Sequence, residues 1–143
     1  GNTLGLDALK VDEQSAENAA SVTIGTGNTE IVSLSSMTVV AGDRIFFTGN
    51  AVVNKLVAAG LLQIFVVKTS GAAVIQIANN LGQLTKNYDS TGVNSRWQIV
   101  SGVAKVTTGG TLVLGLWCVS DANGATVGAT FGQLHALVLR GTG

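Results

Sequence analysis

The chain has 143 residues, enough for one domain with a buried core. Only 11% of the residues are charged and 46% are hydrophobic, where ordinary globular proteins carry about 25% charged residues. The formal net charge is zero, which excludes long-range attraction to nucleic acid or anionic lipid.

A single cysteine, Cys118, excludes an intramolecular disulfide framework. The opening residues have no basic region followed by an apolar run, so no signal peptide is expected. The longest charge-free stretch, 122–139, alternates and holds Asn, Gln, His and Gly, so no membrane insertion is expected. A monomer with so few charges would expose large apolar patches, which predicts an oligomer. A monomer coated in Ser, Thr, Asn, Gln and Gly is the alternative.

Residues 1–20 hold Asp7, Asp12, Glu13 and Glu17 against Lys10, a net charge of −3 that the rest of the chain balances. They show no strand alternation. They read as an N-terminal arm, disordered or ordered on a partner, with Leu4, Leu6, Leu9 and Val11 as the side chains it would bury there. Asp7 would cap a short helix if one forms. Removing such an arm should leave the stability of the fold nearly unchanged.

Residues 21–143 read as an antiparallel sandwich. Strands are predicted at 21–24, 30–34 and 37–40, with turns at 25–28 and 41–43, where Gly42 supplies a positive φ. Arg44–Asn54 is a long strand, and Leu61–Thr69 is apolar on both faces, as a strand covered on both sides should be. Ser70-Gly71 reads as a hairpin turn into 72–78. The stretch 79–95 is polar and reads as a long loop. Arg96–Val106 follows, with Gly102 as an expected bulge, and Gly109-Gly110 turns into Thr111–Ser120. A turn at 121–124 leads to a final strand or pair over 125–140, with a break at Gly128. The connections are too short for crossover helices, so the all-β sheets should be antiparallel and of jelly-roll type.

Three segments carry a resemblance. Val39-Val-Ala-Gly-Asp-Arg-Ile-Phe-Phe, Thr111-Leu-Val-Leu-Gly-Leu-Trp-Cys and Gln133-Leu-His-Ala-Leu-Val-Leu-Arg follow the strand order of trimeric jelly rolls. The chain over 21–140 resembles the tumour-necrosis-factor and C1q type, especially the small versions in structural proteins of tailed phages. The resemblance implies a homotrimer built by packing one sheet of each protomer against its neighbours. It implies a non-enzymatic virion protein, a capsid decoration protein on the surface of the major capsid protein. The alternative is the receptor-binding head of a phage tail fibre that binds host glycan.

The chemistry of single residues adds little. His135 is the one histidine and shares a strand face with Leu137 and Leu139; without a nucleophile elbow or an oriented acid it reads as a buried or interface histidine. Cys118 reads as a small core hydrophobe. One Cys and one His do not make a zinc site, and scattered aspartates make no calcium loop, so no metal or cofactor is expected. The glycine turns are not followed by helices, so no phosphate loop is present, and Trp97, Trp117 and Tyr88 lack the basic partners of a nucleic-acid platform. Within 79–95, Lys86, Asn87, Tyr88 and Asp89 form the mixture that contacts sugars or proteins, against the plainer reading of a solvated connection.

Overall fold

The computed structural model describes residues 9–55, 60–76, 82–88, 94–120 and 125–141. The regular elements there are eleven strands: β1 (Lys10–Glu17), β2 (Val22–Ile24), β3 (Thr29–Ser33), β4 (Met37–Val39), β5 (Arg44–Lys55), β6 (Gly60–Ser70), β7 (Val74–Ile75), β8 (Gly82–Tyr88), β9 (Asn94–Thr108), β10 (Gly110–Ser120) and β11 (Ala125–Leu139). One sheet runs β1-β11-β5-β9-β7 with β2 also on β11; the other runs β3-β10-β6-β8 with β4 also on β10.

The pairings nest. The first strands, β1 and β2, pair with the last, β11; β3 and β4 pair with β10; β5 pairs with β9; β6 pairs with β8. All are antiparallel. A single long hairpin wound in this nested order is a jelly roll.

Period-2 alternation decides which side chains enter the space between the sheets. From β5 come Ile45, Phe47, Ala51 and Val53; from β11 come Leu134, Ala136 and Val138; from β10 come Leu112, Leu114, Leu116 and Cys118; from β6 come Leu62, Ile64 and Val66. Removing these side chains from water is the main stabilising term. Gly49 fixes how closely the sheets approach. A methyl group there would sit 2.6 Å from Leu116 Cδ1 and 3.3 Å from Val66 Cγ2.

The turn before β5 is held by Asp43. Its Oδ2 accepts from the Val40 N–H at 2.9 Å, its Oδ1 pairs with Arg140 Nε at 3.0 Å, and its backbone N–H and C=O bond to Val40 O and Val106 N. Gly42 takes φ +96° there, as the sequence predicts. The Gly-Asp pair is therefore a structural corner, tying the turn to the end of β11.

Four expectations are corrected. Residues 10–17 form a strand; β1 pairs with β11 from Lys10 to Glu17 and lies in the same sheet as the rest. Val11 and Ala16 pack against the core, so a cut at residue 20 passes through a hydrogen-bonded unit. The 79–95 stretch contains β8, paired with β6 from Gly60↔Tyr88 to Val66↔Gly82. Ser70-Gly71 does not form a hairpin, because β7 is only two residues long and pairs with β9 in the opposite sheet. Gly102 is not a bulge; it pairs with Phe47 in an unbroken β5–β9 register.

Candidate functional site

The outward face of the six-stranded sheet gathers the notable surface residues. The registers of β1, β11, β5 and β9 place side chains in rungs across it. One rung is Lys10, Leu139, Arg44 and Lys105. The next is Glu13, Leu137, Phe46 and Val103. Then come Ser15, His135, Thr48 and Ser101, and after them Glu17, Gln133, Asn50 and Ile99.

The second rung is apolar over three strands. Phe46 is 40% exposed, Val103 48% and, two rungs along, Ile99 44%. Together with Leu137 and His135, Phe46 and Val103 line a shallow depression of about 430 Å³. Large apolar side chains gathered on one sheet face mark a contact surface rather than scattered exposure. The adjoining depression, about 480 Å³, mixes polar and apolar lining: Ser15, Glu17, Thr48, Asn50, Gln133 and His135 with Ala16 and Leu134.

Both signs of charge lie on this face. Lys10, Arg44 and Lys105 form one rung, and on β1 Lys10 stands beside Glu13, with Glu17 further along the same edge. His135 Nε2 lies 2.9 Å from Glu13 Oε2, and Lys10 Nζ lies 3.8 Å from Glu13 Oε1. The hydrogen bond to His135 holds the Glu13 carboxyl below its ordinary value, with Lys10 adding attraction. His135 thus shares its face with Leu137 as expected, but it is half-exposed and paired, not buried.

Beside this face β11 carries a bulge. Val127 pairs with Val53 and Gly132 with Ala51, so the four residues 128–131 stand opposite Val52 alone. This is the break expected at Gly128. Asn18 clamps it: its Nδ2 donates to Gly128 O and Ala20 O, both at 2.9 Å, and its Oδ1 accepts from Gly132 N at 2.8 Å. Asn18 N also donates to Gly132 O, and Thr130 N donates to Asn18 O. Within the bulge Thr130 takes φ +67°, rare for a β-branched residue, and Phe131 is 56% exposed.

The other residues singled out from the sequence fall as follows. Leu4, Leu6 and Asp89 lie outside the described residues. Leu9 is half-buried, and its carbonyl accepts from Arg140 N at 2.8 Å. Lys86, Asn87 and Tyr88 lie on β8, the edge strand of the other sheet. Cys118 is buried, and desolvation pushes its thiol up to about 12, so it is an inert core residue. Among the described residues no three His, Cys, Asp or Glu side chains cluster to hold a metal.

Sequence reasoning missed Phe46, Ile99, Val103 and Phe131 as a group. Alternation gave little signal, because the outward positions of β5 and β9 that carry Phe46, Ile99 and Val103 otherwise hold Arg44, Thr48, Asn50, Ser101 and Lys105, the pattern of an ordinary solvated face.

No protein family and no curated protein sequence matches this chain. Among solved structures it is similar to the Gx strain of infectious bursal disease virus, at 15% identity and TM-score 0.48, over 91% of this chain and 32% of that one. It is also similar to the VP2 subviral particle of infectious bursal disease virus, at 14% identity and TM-score 0.46, over 91% and 33%. The chain thus spans about a third of the length of these structures. The jelly-roll assignment rests on the nested strand pairing itself.

Proposed function

We propose that this protein is a non-enzymatic virion structural protein, a homotrimer that decorates the capsid of a tailed phage. The observation that carries the reading is the outward face of the β1-β11-β5-β9 sheet. It presents Phe46, Val103, Leu137 and Ile99 in a chain with very few charges. Covering that face with a neighbouring copy removes the exposure of Phe46, Val103 and Ile99. It also brings the Glu13 and Glu17 edge of one copy toward the Arg44 and Lys105 side of the next.

The sequence resemblance supplies the virion part of the proposal. Three copies engaging local three-fold positions on a shell would hold it by avidity without tight single contacts. Leu4, Leu6 and Leu9, at and before the start of β1, are the side chains the proposal assigns to the shell. Co-sedimentation with tailed-phage capsids tests it. Stoichiometric binding that survives moderate salt is expected, and a chain that stays in the supernatant at micromolar concentration would count against decoration.

One observation favours a second reading, a glycan-binding head. β8, with Lys86, Asn87 and Tyr88, edges the sheet opposite the apolar face and would remain uncovered in the trimer. Under it Tyr88→Ala abolishes glycan-array binding; under decoration the same change leaves capsid binding intact.

A further inference from the structure

We propose that Arg44 and Lys105, opposed across β5 and β9 and joined there by Gln76, form a binding site for a doubly charged oxyanion of the phosphate or sulfate type. The site goes beyond the proposed assembly and is complete within one chain.

Register and alternation build it. Arg44 pairs directly with Lys105 in the unbroken β5–β9 ladder. Their neighbours Ile45, Ala104 and Val106 are buried in the core, so both cations point outward. Gln76 follows β7, and its backbone N–H donates to Lys105 O at 2.8 Å. That bond sets Gln76 beside Lys105, on the side of β9 away from Arg44. With Val103 these three residues line a shallow depression of about 430 Å³.

The two charges have no acidic answer nearby. Like charges directly opposite in an antiparallel pair repel and weaken it. The chain holds only eight Lys and Arg residues, and here two of them face each other. Asp43, next to Arg44 in sequence, is fully buried and turned to the Val40 N–H and to Arg140 Nε. Glu13 lies two strands away and is engaged by His135 and Lys10. Among the described residues no carboxylate pairs with Arg44 or Lys105. A second observation is independent of net charge. Nη1 of Arg44 is buried and has no hydrogen-bond partner, whereas buried donors in folded proteins are nearly always paired.

A doubly charged oxyanion answers these features together. A planar guanidinium donates two parallel N–H bonds to neighbouring oxygens, an ammonium adds a point charge, and an amide donates to a third oxygen. Two cations and one neutral amide balance a dianion, whereas a single carboxylate would leave one cation unanswered. The bound anion would also relieve the repulsion between β5 and β9, so binding should stabilise the fold by mass action.

Isothermal titration calorimetry with inorganic phosphate, at pH 8 and low, matched ionic strength, tests the site. Wild type should bind one phosphate per chain, and Arg44→Gln and Lys105→Gln should each weaken binding by about tenfold or more. Lys10→Gln removes a cation from the same rung but outside the depression, and should change the affinity by less than about twofold. Phosphate should raise the melting temperature of wild type and not that of Lys105→Gln, a readout that also shows the variant to be folded. Acetate at equal ionic strength should bind more weakly than phosphate. Absence of saturable phosphate binding to wild type overturns the site. A Lys10→Gln loss as large as that of Lys105→Gln overturns it in favour of diffuse attraction, and acetate binding as tight as phosphate overturns the dianion assignment.

Discussion

Replacing Asn18 with alanine removes a clamp that a polar N-terminal arm should not contain. The Asn18 side chain is almost fully buried and makes three hydrogen bonds, donating to Ala20 O and Gly128 O and accepting from Gly132 N. Each such bond contributes about 1 kcal/mol net, and a buried group left unsatisfied costs about 1–3 kcal/mol. Gly132 is buried, so its N–H would lose its acceptor without gaining water. The expected loss is about 2–4 kcal/mol. For a domain of this size that lowers the melting temperature by roughly 6–15 °C. Thermal unfolding followed by circular dichroism, at matched protein concentration because assembly shifts the midpoint, measures it. A loss below about 0.5 kcal/mol would refute the clamp, and with it the integration of residues 10–18 into the fold. Asn18→Asp should not rescue, because it keeps the acceptor but turns a carboxylate oxygen toward two carbonyls.

Deleting residues 1–17 should lower stability clearly, because it removes β1 and exposes the edge of β11; an unchanged melting temperature would restore the separable arm. Cys118 should resist thiol reagents in the native protein at pH 8, since its thiol is pushed up to about 12 by burial; rapid stoichiometric labelling under native conditions would contradict this. The lowered pKa of Glu13 means that its ionised form is favoured in the folded state, so its contribution is present above its ordinary value of 4.5 and is lost as pH falls through the lower folded value. Wild type and Glu13→Gln should therefore converge in stability toward pH 3 and separate at pH 6. A constant difference across that range would show that the His135 contact is not the cause.

The long strands β5, β6, β10 and β11 were legible because each is a run rich in apolar and β-branched residues between turn residues, alternating in β5 and β11 and apolar on both faces in β6, and their antiparallel order followed from connections too short for helices. The edge strands were not. β1 has a register shift between Lys10 and Asp12, so Val11 and Ala16 both reach the core although their spacing breaks period 2. β8 is polar in sequence and owes its strand state to backbone pairing along Leu62–Val66, which no local pattern reports. At Gly71, φ +103° carries the chain over the end of the sandwich to the other sheet, and a sequence reading that expects neighbouring strands to pair mistakes this for a hairpin. At the candidate site, His135 and its companions Leu137 and Leu139 were visible along one strand. The cross-strand neighbours Phe46 and Val103 were not, because register with β5 and β9 is a tertiary property.

The central claim is that the outward face of the larger sheet is covered by copies of the same chain. Sedimentation equilibrium of the wild-type protein at micromolar concentration tests it most directly. The account predicts a single species of three times the 14.5 kDa chain mass. A homogeneous 14.5 kDa monomer across that concentration range would contradict it.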